Sequence, residues 1–189
     1  MLQRHLIIDH LLEKYLSERG VKQVIELACG LSPRGFRLMN NNKNSDILSE
    51  SGDLSLENIA KKYLRPGIPT AIITDGLINY FDMETLTNIW KRISHILTSF
   101  NGGVYLSDNL SHKTDHLYYF MVKIWTKMVG LAASGKFHMH FYPDSESEET
   151  FRDIGFREIN IHHPETYLGV LPIFLSSQPA LITVIEAVI

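Results

Sequence analysis

The stretch Val24-Ile25-Glu26-Leu27-Ala28-Cys29-Gly30-Leu31-Ser32-Pro33-Arg34-Gly35 decides the fold of this chain. Its first five residues form a short apolar run with β-branched side chains, which is typical of a strand buried on both faces. Gly30 and Gly35 bracket the turn that follows, and a glycine lets the backbone approach a ligand closely because it has no Cβ. A strand, a glycine turn and a helix starting near residue 36 together predict the nucleotide-binding corner of an open α/β sheet.

The composition narrows the class of protein. The chain has 189 residues, a formal net charge of -3 and 21% charged residues. This composition does not predict a basic surface for nucleic acid. Cys29 is the only cysteine, which excludes an intrachain disulfide and a four-cysteine zinc site and leaves a reactive thiol or a small packed residue as its roles. The sequence shows no signal peptide and no apolar run of membrane-spanning length, so we expect a cytoplasmic protein without a membrane partner.

Apolar periodicity around this stretch predicts alternating helices and strands. Residues 6–16 place their apolar side chains on one helical face, and Gly20 follows as a stop. The asparagine-rich residues 39–45 predict a loop, residues 46–48 a short strand, and residues 56–63 a helix. Thr70–Thr74 indicates a buried strand that closes on Asp75 and Gly76. Ligands of open α/β sheets collect at the carboxyl ends of strands, so Asp75 is well placed to contact one.

The second half of the chain continues the alternation. Asp82 is the predicted N-cap of a helix that runs to residue 97, and residues 104–107 are the next strand. The short connections imply parallel neighbours with a right-handed crossover. A stripe rich in aromatic residues and methionine in residues 112–130 indicates core packing or, alternatively, a cap over a substrate pocket. A helix with a capping-box start at residues 145–154 and strands at residues 156–161 and 180–188 follow.

Three motifs, in this order, resemble the leucine carboxyl methyltransferase and polyketide-type O-methyltransferase family. They are Arg4 with Asp9, residues 23–31, and residues 73–80, which read Ile-Thr-Asp-Gly-Leu-Ile-Asn-Tyr. The resemblance covers most of the chain and implies a class I S-adenosylmethionine-dependent methyltransferase with a Rossmann-like α/β sheet, helices on both faces and an antiparallel last strand. It also implies a single domain over residues 1–189, with a helical insertion at residues 110–142 in position to cap the substrate pocket.

The resemblance implies roles for individual residues. Arg4 is expected to pair with the methionine carboxylate of S-adenosylmethionine, and Asp75 to accept hydrogen bonds from its ammonium group. The other expected cofactor contacts are Glu26, Ala28, Gly30, Asp46, Ile47 and Gly76, and the expected pocket residues are Tyr80, Trp125 and His138. No catalytic residue is identified, since no dedicated base is evident in the sequence. A carboxylate acceptor would need none. A hydroxyl acceptor needs one, and Tyr80 and His138 are the candidates.

The segment between Leu38 and Asp46 departs from the family pattern. The family carries there a second strand, ending in an acidic residue that holds the ribose hydroxyls, and a further helix. Only residues 39–45 are present here, and a strand alone takes about 5–6 residues. We therefore expect a sheet shortened on the second-strand side and lacking the ribose acid. A sheet that ends early would expose the first strand as an edge, which predicts a homodimer paired there.

Two functions from different classes remain open. The leading hypothesis is S-adenosylmethionine-dependent O-methyl transfer to a hydroxyl or carboxylate of a small molecule. The alternative is a degenerate methyltransferase-fold protein that serves as a non-catalytic binding or assembly module. A nicotinamide-dependent oxidoreductase is disfavoured, because the three-glycine fingerprint is missing. His138 and His140 point the same way if they lie on a strand, but no third ligand accompanies them or the pair His162 and His163, so no metal site is predicted.

Overall fold

The computed structural model describes residues 2–27, 46–50, 56–110, 138–141, 143–173 and 182–189. The helices are α1 (Leu2–Glu18), α2 (Leu56–Tyr63), α3 (Met83–Ser99) and α4 (Asp144–Ile154), with short 3-10 turns at Ile78–Tyr80 and Pro164–Tyr167. The strands are β1 (Gln23–Leu27), β2 (Asp46–Glu50), β3 (Thr70–Thr74), β4 (Gly103–Leu110), β5 (Glu158–His162) and β6 (Ile182–Val188). The glycine turn after β1 and residues 111–137 of the predicted insertion lie outside the described residues.

The described strands form one open sheet of six strands in the order β2-β1-β3-β4-β6-β5. Strands β2, β1, β3 and β4 pair in parallel, whereas β6 is antiparallel to both β4 and β5. Parallel strands joined by helices require coverage of both faces, and the antiparallel last strand β6 lies between β4 and the edge strand β5. The predicted α/β class, the parallel order and the antiparallel last strand are therefore confirmed.

The prediction that β1 forms the edge of the sheet is wrong. The strand β2 pairs with β1 over its whole length, from Gln23 opposite Asp46 to Leu27 opposite Glu50, and β3 pairs with the other side of β1. The short segment that the sequence indicates at residues 46–48 is thus a full strand beside β1, and the edge moves to β2. Both sides of β1 are already hydrogen-bonded, so β1 has no free edge through which two copies could pair.

The sheet buries one apolar layer on each face. Helix α1 covers one face, where its Ile7, Ile8, Leu11 and Leu12 pack on β1, β3, β4 and β6. Helices α2, α3 and α4 cover the other face, where aromatic side chains dominate the core: Trp90, Tyr105, Phe141, Phe151 and Phe156. Helices on both faces are therefore confirmed. Among the described residues, no helix combines the length and the apolarity that crossing a bilayer requires.

Local signals set several element boundaries. Asp82 caps α3 as predicted, because its carboxylate accepts a 2.8 Å hydrogen bond from the Thr85 N–H. Gly155 ends α4 in the left-handed conformation at φ 113°. The predicted capping box of α4 is not what starts the helix, since α4 begins at Asp144 after Pro143, and Pro143 makes no side-chain cap bond. Helix α1 starts at Leu2 rather than near residue 6, which brings Arg4 into its first turn.

The start of β4 depends on a glycine. Gly103 has φ 148°, and a Cβ built on it would lie 1.9 Å from the carbonyl oxygen of Thr70 on β3. We expect Gly103→Ala to lower the free energy of unfolding by at least about 3 kcal/mol, because both the backbone conformation and the contact with Thr70 resist a side chain. Urea denaturation measures this loss. Gly102→Ala is the matched control, since Gly102 also has positive φ, 89°, but nothing within 4 Å of its built Cβ. An equal loss in the two variants would contradict the proposed contact.

Candidate functional site

A cluster of charged side chains joins α1 to the carboxyl ends of β3 and β4. Arg4 in the first turn of α1 places its Nε 2.9 Å from Asp75 Oδ1 and its Nη1 3.2 Å from Asp108 Oδ2. The side chains of Asp75 and Asp108 are only 5% and 4% exposed, respectively. Asp75 directly follows β3, and Asp108 lies near the end of the neighbouring β4. One guanidinium therefore bridges two buried carboxylates at the edge of the sheet where ligands of this architecture bind.

Two further groups complete this cluster. His5 Nδ1 lies 2.6 Å from Asp75 Oδ2, and the Gly76 N–H donates a 2.6 Å hydrogen bond to Asp108 Oδ1. Gly76 has φ 71°, and a Cβ built on it would lie 3.2 Å from Arg4 Nη2. The turn after β3 therefore requires a glycine, because it runs in the left-handed region directly against the guanidinium.

The cluster combines two buried carboxylates with one guanidinium. Burial raises the pKa of Asp108, while Arg4 and the Gly76 N–H act in the opposite direction. The cluster therefore contains hydrogen-bond acceptors for a cationic ligand group and a guanidinium for an anionic one.

The far half of α1 is fixed by another buried carboxylate, Glu186 of β6. Glu186 accepts hydrogen bonds from Tyr15 of α1 at 2.6 Å and from Asn160 and His162 of β5 at 3.0 and 2.8 Å. His162 Nδ1 in turn lies 2.7 Å from the hydroxyl of Tyr167. Burial raises the pKa of Glu186, but the hydrogen bonds from His162, Tyr15 and Asn160 outweigh it and hold this pKa at about 2. The anchored helix carries Arg4 to the site.

Of the expected cofactor residues in β1 and the turn after it, the structure describes Glu26 alone. Glu26 is buried on the α1 face of the sheet, the face that Val24 shares, one residue before the end of β1. Ala28 and Gly30 lie outside the described residues, as does the whole glycine turn. Of the expected cofactor residues, the structure therefore brings Arg4, Asp75 and Gly76 into direct contact and places Glu26 on the same face.

Asp46 and Ile47 lie at the other end of the sheet. They pair with Gln23 and Val24 at the start of β1, away from the edge that carries Asp75. Glu50 instead closes β2, opposite Leu27 at the carboxyl end of β1. The sequence analysis assigned no role to Glu50, because it predicted a strand only over residues 46–48.

Asn79 connects the turn after β3 with the segment that returns from the insertion. Its carbonyl accepts a 2.7 Å hydrogen bond from the His138 N–H, its Nδ2 donates at 2.8 Å to the His138 carbonyl, and its Oδ1 accepts from the Leu110 N–H at 3.3 Å. This brings His138 beside Asn79 and next to Tyr80, which is exposed, so these two expected pocket residues share one place in the fold. Trp125 lies outside the described residues.

The second histidine of this segment is buried. His140 Nε2 lies 2.9 Å from the Phe81 carbonyl, which only accepts, so Nε2 carries the hydrogen. Burial lowers the pKa of His140, and its ring stacks on that of His138 at 5.9 Å. His162 contacts Glu186, whereas His163 contacts Asp144 at 2.6 Å. In the described part of the chain, no group of three or more His, Cys, Asp and Glu side chains is arranged to hold a metal ion.

Comparison with solved structures identifies the fold. The chain is similar to a protein of Nostoc punctiforme PCC 73102 assigned as an O-methyltransferase, with 16% identity, a TM-score of 0.61, and coverage of 97% of this chain and 56% of that one. It is also similar to a protein of Thermobifida fusca YX assigned as a methyltransferase, with 12% identity, a TM-score of 0.64 and coverage of 98% and 80%. It is similar as well to human N-acetylserotonin methyltransferase, solved in complex with S-adenosylmethionine. The identity is 12%, the TM-score is 0.52, and the match covers 96% of this chain and 55% of that one.

These similarities establish a Rossmann-like methyltransferase fold, and at such identities they establish the fold alone. The chain spans about half the length of two of the three structures, 56% and 55%. No protein-family profile and no curated protein sequence matches it.

The buried Glu186 makes the free energy of unfolding depend on pH in the acidic range. Its pKa in the folded protein is about 2, below its ordinary 4.5, so its contribution is present above about pH 4.5 and is lost as the pH falls toward 2. We expect Glu186→Gln to destabilise the protein by about 2 kcal/mol at pH 6 and to lose less stability than the unaltered chain between pH 5.5 and pH 3. Urea denaturation at each pH measures this, with Glu13→Gln at an exposed position of α1 as control. Equal losses in all three proteins would contradict the role of Glu186.

Proposed function

We propose that this protein is an S-adenosylmethionine-dependent methyltransferase that transfers a methyl group to a hydroxyl or carboxylate oxygen of a small molecule. The observation that carries the proposal is the cluster of Arg4, Asp75 and Asp108 at the carboxyl edge of a methyltransferase sheet. The motifs that resemble the leucine carboxyl and polyketide-type O-methyltransferases contribute two of these residues, Arg4 and Asp75.

The donor set of the cluster fits the amino-acid end of the cofactor. That end carries an ammonium and a carboxylate beside the cationic sulfonium, and the cluster contains two buried carboxylates and a guanidinium. Asp75 would hold the ammonium and Arg4 the carboxylate, with the Gly76 backbone close by. Glu26, Ala28 and Gly30 would line the cofactor side of β1 and its turn. The bound cofactor supplies an electrophilic methyl group.

Glu50 is the proposed partner of the ribose hydroxyls. In the family that the motifs resemble, the strand beside the first one ends in an acidic residue with this role. Here β2 pairs with β1 and ends in Glu50, opposite Leu27. Asp46 and Ile47 lie at the opposite end of the same strand, so Glu50 is better placed than they are to meet a cofactor at the carboxyl edge.

The acceptor would bind near the turn that carries Tyr80 and His138, with Trp125 contributing from the insertion. Methyl transfer from a sulfonium requires chiefly an in-line approach in a water-free pocket, so positioning supplies much of the rate. A carboxylate acceptor is already an anion and needs no base. A hydroxyl acceptor would use His138, which Asn79 holds by two backbone hydrogen bonds.

Two observations favour a second function, a non-catalytic binding module. Arg4 already pairs with Asp75 and Asp108, so the cluster is charge-paired within the protein and has a structural role without any ligand. The family's additional strand and helix after the glycine turn also have no room in residues 39–45. Cofactor binding separates the two functions.

We expect isothermal titration with S-adenosylmethionine and with S-adenosylhomocysteine to give micromolar dissociation constants. Asp75→Asn and Arg4→Gln should each weaken binding at least about tenfold, because each removes a charge-assisted contact. Arg92→Gln is the matched control, since Arg92 forms an exposed ion pair with Glu57 of α2. Circular dichroism checks that every variant is folded. No binding by the folded, unaltered chain would reject the methyltransferase and favour the binding module.

The role of Glu50 has its own test. Glu50→Gln should weaken the binding of S-adenosylhomocysteine about five- to tenfold, since a neutral amide accepts hydrogen bonds from ribose hydroxyls less strongly than a carboxylate. The same titration with adenine, which has no ribose, should not distinguish the variant from the unaltered chain. Glu57→Gln, at the start of α2, serves as control. An unchanged dissociation constant for Glu50→Gln would show that Glu50 does not contact the ribose.

A further inference from the structure

Two buried side-chain oxygens lack a hydrogen-bond partner at one place in the sheet. They are Asn109 Oδ1 and Thr183 Oγ1, neither of which has a partner within the described structure. Asn109 is only 2% exposed and Thr183 only 1%. Folded proteins satisfy nearly all of their buried polar atoms, because a buried oxygen without a hydrogen bond loses its hydration and gains nothing in return.

The two side chains are neighbours across a pair of strands. Asn109 of β4 lies directly opposite Thr183 of the antiparallel β6. Directly opposed residues have Cβ atoms about 4.5–5.5 Å apart and point to the same face of the sheet. That face is the aromatic one, because Asn109 alternates in phase with Tyr105, and Thr183 with Ile185, and both of these residues belong to the core beneath α3 and α4.

Other buried polar side chains on this face have partners. Thr74 Oγ1 lies 2.7 Å from the Tyr105 hydroxyl and donates to Ser107 Oγ at 2.8 Å, and Trp90 Nε1 donates to Tyr105 at 3.1 Å. Among the described residues of this face, Asn109 and Thr183 at the outer end of β4 are the pair whose buried oxygens lack a partner. This is the carboxyl end of β4, where the next residue, Leu110, is hydrogen-bonded to Asn79 of the turn that holds His138.

We propose that Asn109 and Thr183 form a subsite that binds a hydroxyl or amino group of the methyl acceptor. This inference rests on the proposed methyltransferase function and adds the chemistry of the acceptor. The Asn109 carbonyl oxygen only accepts hydrogen bonds, whereas the Thr183 hydroxyl both accepts and donates. The bound group must therefore donate at least one hydrogen, which a hydroxyl or an amine does and a carboxylate or a ketone does not. An acceptor methylated on a carboxylate would carry this donor as a second group.

The stability of the free protein tests whether the two oxygens are unpartnered. Replacing a buried, unbonded polar atom by an apolar one removes a desolvation penalty, so Thr183→Val and Asn109→Leu should each raise the melting temperature by about 2–4 °C. Thr70→Val and Asn79→Leu are the matched controls and should lower it. Both control residues are equally buried, but Thr70 donates to the Ile68 carbonyl at 3.1 Å and Asn79 holds His138. If the first two variants are destabilised like the controls, a structural water fills the place and the subsite is rejected.

Binding of three molecules of nearly equal shape tests the specificity of the subsite. Phenol, aniline and toluene are titrated by ligand-observed nuclear magnetic resonance, with and without saturating S-adenosylhomocysteine. We expect phenol and aniline to bind at least tenfold more tightly than toluene. Thr183→Val and Asn109→Leu should abolish this preference and leave the dissociation constant of S-adenosylhomocysteine unchanged.

The outcomes separate the subsite from the proposed function. Equal binding of the three molecules to the unaltered chain, or a preference that survives both substitutions, would overturn the subsite even if the cofactor binds. A preference that both substitutions remove would support the subsite even if S-adenosylhomocysteine fails to bind. In that second case the methyltransferase function is rejected, and a site for a small hydrogen-bond donor is still supported.

Discussion

The bridge from Arg4 to Asp75 and Asp108 is the interaction on which the candidate site depends. It joins the first helix to the ends of two neighbouring parallel strands, and it is the means by which two buried carboxylates are tolerated side by side. The same guanidinium limits the turn after β3, because a Cβ built on Gly76 would lie 3.2 Å from Arg4 Nη2 and Gly76 has φ 71°.

Helix α1 is held at two points along its length, and both contacts are buried carboxylates. Near its start Arg4 meets the ends of β3 and β4, and near its end Tyr15 donates to Glu186 of β6. The apolar side chains between them fill the face of the sheet. A helix fixed in this way presents Arg4 with little freedom, which is the preorganisation that a binding site for a charged ligand needs. The residues that hold α1 on the sheet therefore include two of the candidate site, Arg4 and Asp75.

The sheet keeps β1 in its interior although the segment between Leu38 and Asp46 is short. The segment Asp46–Glu50 pairs directly with β1, so β1 remains an interior strand although residues 39–45 leave no room for a further strand and helix. This keeps the carboxyl ends of β1 and β3 adjacent and brings Glu50 to the end of β2. The chain covers 56% of the length of one methyltransferase of the same fold, while 97% of this chain is matched.

The sequence by itself determined the α/β class, the buried strand Thr70–Thr74 and the cap at Asp82, because apolar period and capping are local properties. The resemblance of its motifs predicted that Arg4 and Asp75 act at one place, and the structure brings these two side chains together. Only the tertiary structure decided that β2 pairs with β1, that Asp108 joins Arg4, and that Asn109 faces Thr183. These depend on which strands become neighbours and in what register, and residues far apart in the chain meet without leaving a local pattern.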